Sequence, residues 1–283
     1  MKMRILVTGG TGFIGSHFLR AATNAGHDVY AIRHNTKTPK IPLDIQPIWI
    51  EGGLDTLSKD LGNALFPEFD VLVHLAAVGV SPEQATWDNC FQTNVVDSLS
   101  LFQIAVKSGI RRLIICGSCF EYGKSGEKYD FIPVNAPLEP TGPYHATKAA
   151  ATMAALGLAV SENIECAILR PFHVFGEGEE DVKFWPSLRK AAISGEDYPM
   201  TWGEQIRDFV PVENVVSSIL QYAVEKPLLK GKPEIHNIGS GNPSSLLDFA
   251  TSWWKIWKAN GQIIPGAIPY RSGEVMRYVP KIE

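Results

Sequence analysis

The chain has 283 residues, of which 45% are hydrophobic and 20% charged, and a formal net charge of −4. That length can bury a substantial core, and the composition is that of a folded globular protein. The mild acidity and the lack of a basic stripe argue against nucleic acid as a partner. No apolar run reaches membrane-spanning length, and the chain enters its first strand pattern without a signal peptide. A cytoplasmic protein with no membrane partner is expected. Cys90, Cys116, Cys119 and Cys166 are scattered along the chain, which fits reduced thiols. Cys116 and Cys119 are spaced like a metal or redox pair but close an apolar run and have no second pair, so no metal site is expected.

Arg4-Ile5-Leu6-Val7 is a short apolar run ending in glycines, the pattern of a buried parallel strand. An amphipathic helix is predicted over Phe13–Asn24, stopped at Gly26. Strands are predicted at Val29–Ile32, Ile48–Ile50 and Val71–Leu75, followed by a long helix over Gln84–Lys107 that ends at Gly109. Leu113–Cys116 reads as the fifth strand, and an alanine-rich helix carries Tyr144 and runs through Ala155. Cys166–Leu169 is the sixth strand. Strand and helix alternate, so a parallel sheet covered on both faces is expected, a doubly wound α/β Rossmann fold. After Arg170-Pro171 the pattern loosens. Helices at Val182–Ser194 and Val212–Val224, a strand at Ile235–Ile238 and a helix opened by Ser244 lie between Pro- and Gly-rich loops. Residues 1–170 are expected to form the dinucleotide-binding domain. Residues 171–283 should form a smaller C-terminal substrate-binding lobe with segments returning to the sheet.

Two stretches carry chemistry. After the first strand comes Thr8-Gly9-Gly10-Thr11-Gly12-Phe13-Ile14-Gly15. In such a turn Gly9 permits the bend, Gly12 lets the backbone approach a pyrophosphate, and Gly15 lets helix pack on strand. The helix N-terminus then offers N–H groups to the phosphates. Tyr144 and Lys148 stand four apart on the alanine-rich helix, so phenol and ammonium share one face. A free phenol has a pKa of about 10, and a nearby positive charge would lower it, making a proton donor or acceptor for alcohol/ketone chemistry. At the end of the second strand stands Arg33 rather than an acidic residue, with Lys37 close behind. This favours NADP(H), with NAD(H) as the alternative.

These motifs together resemble the extended short-chain dehydrogenase/reductase family, of the NAD-dependent epimerase/dehydratase type that modifies nucleotide sugars. The likeness spans almost the whole chain. It includes the glycine turn, His74-Leu75-Ala76-Ala77, Asn94, Gly117-Ser118-Cys119-Phe120-Glu121-Tyr122-Gly123 and Pro143-Tyr144-His145-Ala146-Thr147-Lys148. Further on it includes Leu169-Arg170-Pro171-Phe172-His173-Val174-Phe175-Gly176, Gln205–Val210 and Asn237–Gly241. Gly203–Phe209 and Tyr270–Glu274 look most like deoxysugar 4-ketoreductases, the CDP-abequose and CDP-paratose synthase group. The resemblance implies that Tyr144 exchanges a proton with the sugar oxygen and that Ser118 hydrogen-bonds the same oxygen. It also implies that Lys148 holds the nicotinamide ribose and depresses the Tyr144 pKa. The cofactor would lie against Gly9, Gly12, Phe13, Ile14, Gly15, Arg33, Leu75, Ala76, Ala77, Asn94, Tyr144, Lys148 and Pro171. The substrate would lie against Ser118, Cys119, Tyr144, His173, Arg207 and Arg271, the two arginines gripping its diphosphate.

Several departures narrow the use. Dehydratases of the family place an Asp-Glu pair after the Ser/Thr position, where this chain has Cys119 and Phe120; Glu121 comes one residue late and would point away from an extended segment. His173 replaces a common asparagine, and Gly52-Gly53-Leu54 replaces an aspartate expected near adenine. The chain also stops soon after Glu274, where relatives continue. The main expectation is an NADP(H)-dependent reductase of a nucleotide-linked 4-keto sugar. The alternatives are a nucleotide-sugar 4-epimerase holding NAD tightly, or a catalytically silent cofactor-sensing protein. A homodimer through the Tyr144 helix and the long helix before it is expected.

Overall fold

A computed structural model describes residues 2–34, 36–55, 68–80 and 85–282. Its centre is a seven-stranded parallel sheet. In chain order the strands are β1 (Arg4–Thr8), β2 (Asp28–Arg33), β3 (Ile48–Glu51), β4 (Val71–His74), β5 (Arg112–Cys116), β6 (Glu165–Pro171) and, much later, Glu234–Ile238. The order across the sheet is Glu234–Ile238, then β6-β5-β4-β1-β2-β3. This is the doubly wound arrangement, with the chain reversing direction across the sheet between β1 and β4. Ile5 and Val7 of β1 pack into one layer and Leu6 into the other, and all three are fully buried. Burial on both faces is why the strand reads as a continuous apolar run rather than an alternating one. Each such side chain contributes about 1.5–3 kcal/mol of hydrophobic stabilisation.

Helix α1 (Phe13–Asn24) supplies Phe18 and Leu19 to the first layer. Val212, Val215 and Ile219, from the helix Val212–Val224, join them. The second layer is covered by two segments. The first is helical from Trp87 to Lys107, but not uniformly so: α2 (Trp87–Phe91) passes through a π-helical stretch, Gln92–Asp97, into α3 (Ser98–Lys107). The uniform helix expected from the sequence therefore carries a wider turn in its middle; Gln84 lies outside the described residues. The second segment is α4 (Pro143–Ser161), opened by Pro143 at its first turn, where a missing N–H costs nothing.

Beyond β6, the strand β7 (His173–Phe175) leads to α5 (Phe184–Ser194). Then come β8 (Tyr198–Met200), β9 (Ile206–Arg207), β10 (Phe209–Pro211) and α6, the Val212–Val224 helix already described. The sheet strand Glu234–Ile238 is β11, followed by β12 (Ser244–Ser245), α7 (Leu246–Ile256), β13 (Ile263–Pro265) and β14 (Arg277–Tyr278). Leu188, Met200 and Ala250 form a separate small core here, wrapped by Phe184, Tyr198, Trp253, Trp254 and Trp257. Phe209 and Phe249 stack at 3.8 Å between ring centroids. β14 pairs with β9 and returns to the main body, where the Tyr278 hydroxyl donates to the Cys119 carbonyl at 3.0 Å. Among the described residues no helix is long and apolar enough to cross a membrane.

Candidate active site

The turn between β1 and α1 is built for backbone proximity. Gly9 has φ +71°, and a Cβ there would stand 2.5 Å from the Ala76 nitrogen; one at Gly15 would collide with the Gly9 carbonyl. Gly12 is different. A Cβ on it would meet only the Gly9 oxygen, at 3.2 Å, so internal packing asks less of it. As the N-cap of α1 it supplies no side-chain hydrogen bond, and the first turn of the helix holds no acidic residue. An uncapped helix start beside a side-chain-free backbone fits a dinucleotide pyrophosphate.

This turn forms one end of a cavity of about 820 Å³. Gly9, Gly12, Phe13, Ile14 and Gly15 line it there, with Leu75 and Ala77 beside them. Ser118, Cys119, Tyr144, Lys148 and Pro171 line the middle, and His173 and Arg271 the side toward the smaller core. Arg33, Ala76, Asn94 and Arg207 are not on its wall. Asn94 is buried and fully used: it accepts from the Val78 N–H at 2.9 Å and donates to the Val78 carbonyl and to Thr147 Oγ1, both at 3.0 Å. It ties the loop after β4 to α4. Arg207 donates to the Val275 carbonyl at 2.6 Å and reaches Glu274 at 3.4 Å.

Ser118 leaves β5 as the N-cap of a short 3-10 turn, Cys119–Glu121. Glu121 Oε1 accepts the Ser118 N–H at 2.8 Å, while Ser118 Oγ accepts the Phe120 N–H at 3.2 Å. Glu121 Oε2 pairs with Arg170 at 2.9 Å in a fully enclosed ion pair, and Arg170 continues to the Tyr122 hydroxyl at 3.0 Å. Glu121 does point away from the cavity, but the 3-10 turn, rather than an extended strand, turns it there. Its carboxylate fixes the backbone that presents Ser118.

Ser118 and Tyr144 both face the cavity. Burial dominates at the phenol and raises its pKa above the usual 10, with the Ser118 side chain opposing. The net direction at Tyr144 is therefore upward, while the Lys148 ammonium donates to the Cys116 carbonyl at 2.6 Å and keeps its charge beside the site. Cys119 is pushed up to about 12 by burial, which keeps the thiol protonated. Beneath the site His74 is held to about 3 by burial and by the Lys148 charge. It bridges Thr8 Oγ1 at 2.8 Å and Ser98 Oγ at 3.2 Å. Ser98 donates to the Thr93 carbonyl at 2.9 Å, which leaves it to accept from His74 Nε2.

Sequence reasoning passed over three features. Arg33 is not a free cation: its Nε and a terminal nitrogen both reach Glu51 Oε1 at 2.6 Å, and its guanidinium lies 4.8 Å from the Trp49 ring centre. Glu179 and Trp185 also line the cavity. Burial lifts the Glu179 carboxyl to about 7 against the opposing Lys183 charge. The acidic glycine loop Gly176–Glu180 following His173 was the available signal for Glu179. Among the described residues, four buried side-chain polar atoms lack a hydrogen-bond partner: Thr152 Oγ1, His173 Nδ1, Glu179 Oε2 and Trp185 Nε1. The last three belong to residues of the cavity wall.

A dinucleotide cradle joined to a Ser/Tyr/Lys cluster defines an oxidoreductase-type site on a Rossmann sheet. Residues 5–239 match the model of the NAD dependent epimerase/dehydratase family, and the chain is an enzyme of that family. It is 26% identical to a UDP-glucose 4-epimerase of Lactobacillus helveticus, over 96% of this chain and 86% of that protein. It is 28% identical to a UDP-N-acetyl-alpha-D-glucosaminuronate decarboxylase of Bacillus cytotoxicus, over 93% of this chain and 83% of that protein. Among solved structures, MoeE5 in complex with UDP-glucuronic acid and NAD superposes with a TM-score of 0.81 at 27% identity. The match covers 99% of this chain and 90% of that one.

Proposed function

We propose that the protein is an NAD-dependent nucleotide-sugar 4-epimerase. The observation that carries this reading is the convergence of Ser118, Tyr144 and Lys148 on a cavity in which positions 119 and 120 carry a protonated thiol and a phenyl ring. That set handles one proton at a sugar hydroxyl and has no carboxylate at positions 119 or 120 to expel water from the sugar. The reductase expected first from the sequence becomes the second reading. The UDP-sugar 4-epimerase relatives, matched over nearly all of this chain, support interconversion of alcohols, and the pairing of Arg33 with Glu51 weakens the argument for an exchangeable NADPH. The neutral Cys119/Phe120 wall suits a 4-keto-6-deoxy sugar as well, which keeps reduction in view.

NAD supplies hydride acceptance and return at the sugar carbon when bound. The residues do the rest. Tyr144 exchanges the proton of the 4-hydroxyl with Ser118 holding the same oxygen. Because burial favours the neutral phenol, Tyr144 needs positive charge nearby to act as base. Lys148, two hydrogen-bond sites of which remain once it has donated to the Cys116 carbonyl, is the resident source. Arg271, on the cavity wall, would meet the diphosphate. In this reading residues 1–170 form the cofactor domain and residues 171–283 mainly the substrate lobe, with the Val212–Val224 helix and β11 returning to the sheet. The exposed apolar side chains Trp87, Phe91, Val96, Met153 and Val160 on α4 and the helical segment before it support a homodimer through these helices; light scattering that gives a monomer would remove it.

The test is incubation of the protein with UDP-glucose and other UDP-sugars, following the C4 configuration by proton NMR. Epimer formation with at most substoichiometric NAD is expected, and Tyr144→Phe should abolish it while retaining cofactor binding. No epimer from any UDP-sugar, together with one equivalent of NADH or NADPH consumed when a nucleotide-linked 4-keto-6-deoxy sugar is supplied, would replace this reading with reduction.

A further inference from the structure

We infer that Glu51, reaching across from β3, makes the adenosine-ribose subsite selective for a free 2′-hydroxyl, and so for NAD(H) over NADP(H). The inference rests on the dinucleotide reading of the glycine turn. In sheets of this order the turn after β1 carries the pyrophosphate, and the adenosine ribose falls at the end of β2. The residue there is Arg33, which alone would welcome a 2′-phosphate. Its registered partner on the neighbouring strand is Glu51, and the Gly52 N–H donates to the Arg33 carbonyl at 2.9 Å, closing the two strand ends together.

Two guanidinium nitrogens converge on Glu51 Oε1 at 2.6 Å, and Trp49 backs the guanidinium plane. The arginine is thereby neutralised and held in place. Both contacts fall on Oε1, and the carboxylate's other oxygen, Oε2, would accept from a ribose hydroxyl. A 2′-phosphate brought to the same strand ends meets a carboxylate of like charge. A side chain at Gly53 would have to displace the His34 ring and the Asp55 carboxylate, 2.5 Å and 2.6 Å from a Cβ there. The acidic group that the second strand lacks is supplied by the third.

The protein stripped of nucleotide is titrated with NADH and with NADPH, following nicotinamide fluorescence. Wild type should bind NADH tighter by about tenfold or more, the equivalent of about 1.4 kcal/mol for one opposed charge. Glu51→Gln should erase most of that ratio by strengthening NADPH. Arg33→Ala should keep or widen it, because it leaves the carboxylate bare. Equal or tighter binding of NADPH by wild type, or an unchanged ratio in Glu51→Gln, overturns the inference and leaves the dinucleotide reading standing. Binding of neither cofactor overturns both.

Discussion

The polar groups under the site and those facing its cavity are treated in opposite ways. Beneath, the chains Thr8–His74–Ser98, Val78–Asn94–Thr147 and Glu121–Arg170–Tyr122–Asn237 close on themselves with donors and acceptors matched. Across the cavity, His173 Nδ1, Glu179 Oε2 and Trp185 Nε1 are buried without partners. Among the described residues Thr152 on α4 is the one further buried polar side chain without a partner, away from that wall. Buried polar groups are seldom left unsatisfied at no purpose. The first region is made rigid so that Ser118 and Tyr144 stay in place. The second holds hydrogen-bonding capacity in reserve for a ligand.

That contrast can be broken most forcefully at Arg170. Arg170→Ala strands the enclosed Glu121 carboxylate and should cost about 3–5 kcal/mol of unfolding free energy in urea denaturation. A loss below about 1 kcal/mol would show that the network is ornamental. The next effect is on pH. His74 is neutral in the fold, with its pKa lowered from 6.5 to about 3. The unfolded chain therefore binds the extra proton between those values. Stability should be intact above pH 6.5 and fall as pH drops toward 3, by up to about 1.4 kcal/mol per pH unit from this residue. His74→Asn should flatten that limb in midpoint-versus-pH measurements, and an unchanged slope would refute the assignment. The smallest effect on stability is expected at Glu179→Gln, within about 0.5 kcal/mol. On ligand affinity it should matter: the wild-type carboxyl titrates near 7, so nucleotide-sugar binding should vary between pH 6 and 8 and the glutamine variant should not. Calorimetric titration at several pH values decides it.

The sequence and the structure agree best where the signal is local. The glycine turn, the bounds of α1 and the Val212–Val224 helix all follow from short-range patterns. So does the common face of Tyr144 and Lys148. What escaped depends on partners far along the chain. Arg33 looked like a phosphate ligand because Glu51 lies 18 residues away and meets it only through strand register. The Lys148 hydrogen bond to a carbonyl 32 residues earlier is likewise beyond what helical spacing can foresee. The π-helical stretch left no periodic trace in a segment read as one helix. Glu179 gained its unusual titration from burial alone, which no neighbour in sequence reveals.

The π-helical stretch has a consequence for how the chain tolerates length changes. A wider turn holds one residue more than an α-turn needs, and Asn94 lies within it. Deleting a single residue between Gln92 and Asp97 would be absorbed by the wide turn closing to an α-turn, the flanks keeping their facing. Winding the whole stretch as α-helix with every residue kept would instead rotate everything before it by about 100° about the helix axis relative to α3. Asn94 would swing off the Val78 backbone, and Trp87 and Phe91 would turn to a different side of the molecule. One inserted residue thus acts as a phase setting between the loop that flanks the cofactor cradle and the outer apolar face.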